Sequence, residues 1–149
     1  MKRLCLSLVL ALFLSLSTSP SANAETISIA CGPNSETYDV IMPAAVATSG
    51  TKCVGSLIID SRVKLIDKGA FAGAKLLSSV VIGDLVTSIG NNAFEGTPLT
   101  SLTIGKLVTS IGEAAFYNTQ LSSVVIPNTV TTIGYHAFYN TPLSMVTIG

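Results

Sequence analysis

The chain repeats itself. Val80-Val81-Ile82-Gly83 returns as Leu102-Thr103-Ile104-Gly105, as Val124-Val125-Ile126-Pro127 and as Val146-Thr147-Ile148-Gly149, each copy 22 residues after the last. Leu57-Ile58-Ile59-Asp60 begins the series 23 residues earlier. A second block runs in step: Val63-Lys64-Leu65-Ile66-Asp67, Val86-Thr87-Ser88-Ile89-Gly90, Val108-Thr109-Ser110-Ile111-Gly112 and Val130-Thr131-Thr132-Ile133-Gly134. A third is Ala70-Phe71, Ala93-Phe94, Ala115-Phe116 and Ala137-Phe138. A fixed period in this range means a stacked array. One coil is too short to offset its own ordering entropy by burial. Each coil must therefore be covered by the next, and the array is the folding unit. The one-residue surplus of the first coil falls at Ala74-Lys75, a loop, where insertion is tolerated.

The pattern inside a coil predicts its course. Leu99-x-x-Leu102-x-Ile104 ends in a period of two, so Leu102 and Ile104 point inward from a strand while Ser101 and Thr103 point out. Val108 and Ile111 face inward from a second, short extended piece. Ala115-Phe116 fits a tight or helical turn, with Ala permitting close approach and Phe filling the centre. Two residues after each Phe stands Gly73, Gly96, Asn118 or Asn140. Gly and Asn replace one another mainly where φ is positive, so a left-handed corner is expected there in every coil. Phe71, Phe94, Phe116 and Phe138 should then form one internal spine.

Residues 1–24 read as an export signal. Lys2 and Arg3 give a positive start, Leu4 to Leu16 is an apolar run, and Ala22-Asn23-Ala24 is an A-x-A cleavage site, so the mature chain is expected to begin at Glu25. The apolar run is short for a bilayer span, and no later segment reads as one. Loss of Lys2 and Arg3 from eight basic residues leaves six against eight acidic ones, a net charge near −2. Charged residues are 11% of the chain, well below the roughly 25% usual for soluble domains. That argues against nucleic acid, which requires a basic face, and against polybasic membrane attachment. Cys31 and Cys53 are the two cysteines left after residue 24. An even pair in an exported chain reads as a disulfide, closing a loop worth roughly 3 kcal/mol. A metal site would need more ligands than two cysteines, and the single His136 lies far away in sequence.

The repeated pattern L-x-x-V-x-I-[GP]-x-x-V-T-x-I-G-x-x-A-F over residues 57–149 resembles the BspA-type leucine-rich repeat of bacterial surface proteins. The Asn that follows the strand in ordinary leucine-rich repeats is replaced by Leu85, Leu107 and Thr129, and the Cys frequent after the Phe turn by Thr97, Thr119 and Thr141. The resemblance implies a right-handed solenoid of about four coils, starting near residues 57, 80, 102, 124 and 146, with a parallel sheet on one face. It also implies an exported or surface location and a link to adhesion or protein binding. Residues 25–56 do not repeat and read as an N-terminal cap, with Val40 and Ile41 in an edge strand. The chain stops at Gly149 just after Val146-Thr147-Ile148 opens a new coil. Either it is a piece of a longer protein, or that strand edge pairs with another copy, end to end.

The candidate chemistry is sparse. His136 is the one histidine, its coil holds no Asp or Glu, and its repeat equivalents are Asn92 and Ala114, so it reads as a variable surface residue rather than a base. Asp39, Asp60, Asp67, Asp84, Glu95 and Glu113 are scattered, without the recurrent spacing of a metal site or a glycosidase pair. Asp60 and Asp84 fall at strand ends, where turns explain them. The glycines follow the repeat and form no phosphate loop. No enzyme activity, cofactor or metal is expected. Two surfaces remain. Ser79, Val81, Ser101, Thr103, Ser123 and Val125 make a flat, uncharged strand face suited to a protein or glycan, though Thr and Val also simply suit exposed strands. Tyr117 and Tyr139 share a repeat position and should stack, with Tyr135 nearby. They form either an amphipathic binding patch or a ladder that supports the stack.

Overall fold

The computed structural model describes residues 25–32, 36–42 and 46–149. The expected export signal lies outside the described residues. The strands in chain order are β1 (Glu25–Ala30), β2 (Thr37–Met42), β3 (Val46–Thr48), β4 (Val54–Ile58), β5 (Leu65–Ile66), β6 (Leu76–Val81), β7 (Ser88–Ile89), β8 (Ser101–Thr103), β9 (Ser110–Ile111), β10 (Ser123–Ile126), β11 (Thr132–Ile133) and β12 (Met145–Ile148). The expected coil strand is there, as β4-β6-β8 and β10-β12, all parallel. The second extended piece forms a parallel ladder of its own, β3-β5-β7-β9-β11. The solenoid therefore carries sheets on two faces, in about five turns rather than four. Among the described residues no helix is long and apolar enough to cross a membrane.

Register follows the period. Ser79, Val80 and Val81 pair with Ser101, Leu102 and Thr103, and Ser88 and Ile89 with Ser110 and Ile111. Leu77, Leu99 and Leu121 are fully buried equivalents. The surplus residue of the first coil lies just before them, at exposed Lys75 and Leu76. A bulge between Gly55 and Ser56 lets β4 meet β6 across the mismatch.

The third side of the coil is a turn rather than a helix. It too is tied across coils: the amides of Phe71, Phe94 and Phe116 donate to the carbonyls of Ala93, Ala115 and Ala137, each at 2.8 Å. Thr97 and Thr119 are buried where the family pattern favours Cys, and their hydroxyls donate to the carbonyls of Phe94 (2.8 Å) and Phe116 (3.0 Å). Each threonine thus closes the turn that carries the phenylalanine, and its buried polar atom is satisfied.

The phenylalanine spine is present. Ring centroids step by 5.0, 5.3 and 5.2 Å from Phe71 through Phe94 and Phe116 to Phe138, with planes within 10° of parallel. Phe71, Phe94 and Phe116 are fully buried, whereas Phe138, in the last coil, is partly exposed. Tyr38 of β2 caps the column edge-on, 5.5 Å from Phe71. Its hydroxyl accepts the Asp60 amide at 2.7 Å, and burial pushes its pKa above the usual tyrosine value.

Glycines after the inward isoleucines hold the coils close. A Cβ on Gly112 would lie 2.6 Å from the Asn91 amide nitrogen, so the coil spacing itself excludes a side chain. Gly112→Ala is expected to cost about 3 kcal/mol by forcing two coils apart. A urea-unfolding midpoint equal to that of the parent chain would contradict this.

All four predicted corners are left-handed: φ is 69° at Gly73, 66° at Gly96, and 56° at both Asn118 and Asn140. A second left-handed position exists four residues before each, at Gly69 (63°), Asn92 (58°), Ala114 (50°) and His136 (58°). This position varies in side chain from coil to coil, yet Gly69 and Asn92 carry the same signature as the other corner. Of the four residues found there alanine is the least suited, so Ala114→Gly should raise stability by about 1 kcal/mol despite glycine's greater chain entropy. Thermal unfolding of the two chains side by side checks the sign.

β1 and β2 form an antiparallel pair, and β2 continues antiparallel to β3. Val40 and Ile41 lie in β2, an inner strand of the order β1-β2-β3, so the expected edge strand is instead β1. The reason is that β2 pairs with β1 on one side and with β3 on the other, whereas β1 pairs with β2 alone among the described residues. β3 and β4 precede residue 57 yet already join the two parallel ladders. Cys31 and Cys53 are bonded, Cα to Cα 5.2 Å, and both are buried.

Candidate functional site: an uncharged strand face and an aromatic cluster

The strand face is assembled as register dictates. Ser79 pairs with Ser56 and Ser101, and Val81 with Ile58 and Thr103. On the next pair of strands Ser123 lies beside Met145 and Val125 beside Thr147. Ser101, Thr103, Ser123 and Val125 are exposed, Val81 lies near the boundary, and Ser79 is half-buried. No outward position in these columns carries a charge. Val146, Thr147 and Ile148 of β12 pair with β10 and are exposed.

The tyrosines come together, and His136 joins them. Tyr117 and Tyr139 stack at 5.9 Å with planes 9° apart. His136 lies 3.7 Å from the Tyr135 ring and 4.7 Å from the Tyr139 ring, centroid to centroid. It is exposed, as the sequence reading had it, but it bridges the cluster rather than standing apart. The cause is its left-handed backbone, which turns the chain back between Tyr135 and Tyr139. Tyr135 is 72% and Tyr139 59% exposed. Beside them Asn140 Nδ2 donates to Asn118 Oδ1 at 2.8 Å, a rung between the two corner residues. Both asparagines stand at the expected corners, and the bond between them is a further feature of the stack. The Gly-to-Asn change in successive coils was the available signal.

Asp60 and Asp84 serve the scaffold. Asp60 accepts from the Arg62 amide (2.9 Å) and guanidinium (2.8 Å), and that side-chain hydrogen bond draws its carboxyl below the usual range. Asp84 accepts from the Lys106 amide one coil away at 3.1 Å, which lowers its pKa in the same direction. Among the described residues no three of His, Cys, Asp and Glu converge as metal ligands. A shallow groove of about 470 Å³ lies by Ile41, Leu65, Asp67 and Lys68, away from both predicted surfaces.

The profile of the BspA type leucine rich repeat region matches six copies over residues 45–149, most of the chain. The chain belongs to the BspA-type leucine-rich repeat family. The match begins ahead of residue 57, in agreement with the entry of β3 and β4 into the ladders. Among solved structures, the pneumococcal vaccine antigen PcpA aligns with a TM-score of 0.66 at 17% identity, over 76% of this chain and 29% of PcpA. That likeness shows the shared fold. A leucine rich cell surface protein of Faecalibacterium prausnitzii A2-165 aligns with a TM-score of 0.36 at 20% identity, over 86% of this chain and 56% of the other. This chain thus spans well under two thirds of either relative's length. Comparison with curated proteins gives no match. In BspA-type terms, the Tyr/His cluster sits on the turn side of the last two coils and the uncharged face on the strand side.

Proposed function

We propose that this BspA-type chain is an exported, non-catalytic binding or adhesion module that presents its flat Ser/Thr/Val strand face and its tyrosine patch to a protein or glycan. The observation that carries the reading is the exposed ring cluster. Tyr135 and Tyr139 are 72% and 59% exposed, so their apolar surface contributes little to the core and is available to a partner. Export is supported by the leader-like residues 1–24, by the buried disulfide, and by kinship with a fold that includes a vaccine antigen.

The test separates the two surfaces. Tyr117→Ala with Tyr139→Ala is expected to keep the unfolding midpoint within a few degrees. The same pair should weaken retention on immobilised glycans or exported proteins by about tenfold or more. Ser101→Lys with Ser123→Lys places two charges on the strand face and probes that side. A chain whose binding neither pair of substitutions weakens does not use these surfaces.

A further inference from the structure

We propose that the rings of Tyr117, Tyr135, His136 and Tyr139, with the amides of Asn118 and Asn140, form a binding site for a neutral glycan. This rests on the reading of the chain as a binding module and names the ligand class of the ring patch.

The array supplies its own comparison, because each coil shows what the scaffold needs at a given position. The Tyr139 position is Ala72, Glu95 and Tyr117 in the earlier coils, and the Tyr135 position is Lys68, Asn91 and Glu113. Nothing in the coil demands an aromatic residue at either. The Asn140 position is Gly73, Gly96 and Asn118, and the His136 position is Gly69, Asn92 and Ala114. These two are left-handed corners, which glycine serves without any side chain. The last coil departs from the bare scaffold at all four positions together, and the coil before it at two, Tyr117 and Asn118. The last coil places rings where earlier coils carry the charges of Lys68, Glu95 and Glu113, and Glu113 stays one coil from Tyr135.

The charge pattern selects the ligand. No Asp, Glu, Lys or Arg occurs from Ala114 to Gly149. A protein partner is ordinarily held within a polar rim where charges give complementarity and orientation. A sulfated or uronate glycan needs cations opposite it. The last coil has no charged residue, and the charge in register beside Tyr135 is Glu113, an anion, so a cation for such a glycan is lacking there. A neutral sugar asks for other things: a flat apolar surface for its C–H face, and groups that both donate and accept for its hydroxyls. The rings supply the first. Phenol hydroxyls and primary amides supply the second, since each donates and accepts. The bond from Asn140 to Asn118 occupies one donor of the first amide and holds both side chains in place beside the rings. The Tyr117 and Tyr139 rings are 5.9 Å apart, a step comparable to the advance of one sugar along an extended chain. Because these two rings face each other, a polysaccharide lying along the solenoid axis meets their edges and hydroxyls at successive residues, and its C–H face rests on the more exposed Tyr135 ring.

The chain contains four tyrosines and no tryptophan, so its ultraviolet emission comes from Tyr38 in the core and the three tyrosines of the patch. The experiment titrates the full chain with cello-, manno- and chito-oligosaccharides, and with heparin as the charged control, reading tyrosine emission and calorimetric heat. At least one neutral series is expected to bind. Tyr139→Ala and Tyr135→Ala should each weaken it about tenfold or more, while Tyr139→Phe, which keeps the ring, should stay within about threefold. Unchanged unfolding midpoints exclude misfolding as the cause. The proposal is overturned if no neutral series binds, if heparin alone binds, or if the alanine variants bind sugar as the parent chain does. If the alanine variants lose an exported protein while no sugar perturbs the emission, the ligand class is wrong and the binding-module reading stands.

Discussion

Phe94→Ala is expected to cost about 4 kcal/mol of folding stability, the largest effect of any single substitution in this chain. Phe94 is fully buried between Phe71 at 5.0 Å and Phe116 at 5.3 Å, with planes 4° and 2° from parallel. Truncation removes a complete ring from two interfaces at once, and parallel strand ladders on two faces hold the coils at a spacing that resists collapse into the void. In a solenoid each coil is stabilised by its immediate neighbours. A defect in a middle coil therefore weakens the coupling of everything on either side of it. Against a total of roughly 5–15 kcal/mol for a domain, such a loss leaves little margin. Phe138→Ala is the control: that ring is stacked at 5.2 Å on Phe116 but only partly buried, so its loss should be clearly smaller. Urea unfolding followed by circular dichroism ranks the two. Equal losses at Phe94 and Phe138 would mean that the column is not what holds the coils together.

Breaking the Cys31–Cys53 bond is expected to cost about 3 kcal/mol, from the loop entropy returned to the unfolded chain. The two cysteines are 22 residues apart, and the segment between them contains β2 and β3. That segment places Tyr38 over Phe71 and starts the longer parallel ladder through β3 and β5. Loosening it therefore uncovers one end of the ring column as well as releasing a loop. Thermal unfolding with and without reductant measures the effect. The Cys31→Ala, Cys53→Ala chain should unfold at the reduced chain's temperature and ignore reductant. A parent chain indifferent to reductant would show that the hydrogen bonds of β1 to β3 suffice without the bond.

What was legible in the sequence was whatever repeats with the coil. Leu102 and Ile104 inward, Val108 and Ile111 inward, the phenylalanine column, and the corners at Gly73, Gly96, Asn118 and Asn140 all follow from reading one period against the next. The stacking of Tyr117 on Tyr139 was legible for the same reason. Features that occur once were harder. Tyr38 has no repeat equivalent, and only its place above Phe71 reveals it as the cap of the column. β1 rather than β2 is the edge strand because β2 takes a partner on each side, β1 and β3, a pairing that hydropathy does not encode. The second ladder was underestimated because its strands are two residues long in each coil. A strand that short gains its identity from neighbours above and below rather than from its own pattern.

The sequence by itself determined that this chain stacks, with what period, and which side chains fill the interior. Burial alternation and fixed spacing are properties of one strand of text, and the hydrophobic effect acts on them directly. Only the tertiary structure decided which exposed groups meet within one turn, and which bonds the stacked ones form. Tyr135, His136 and Tyr139 converge because a left-handed residue at His136 folds the turn back on itself. Asn118 reaches Asn140 because stacking superimposes residues that lie a whole coil apart. Such contacts depend on backbone angles and on the coil above, and neither is written in the local order of residues.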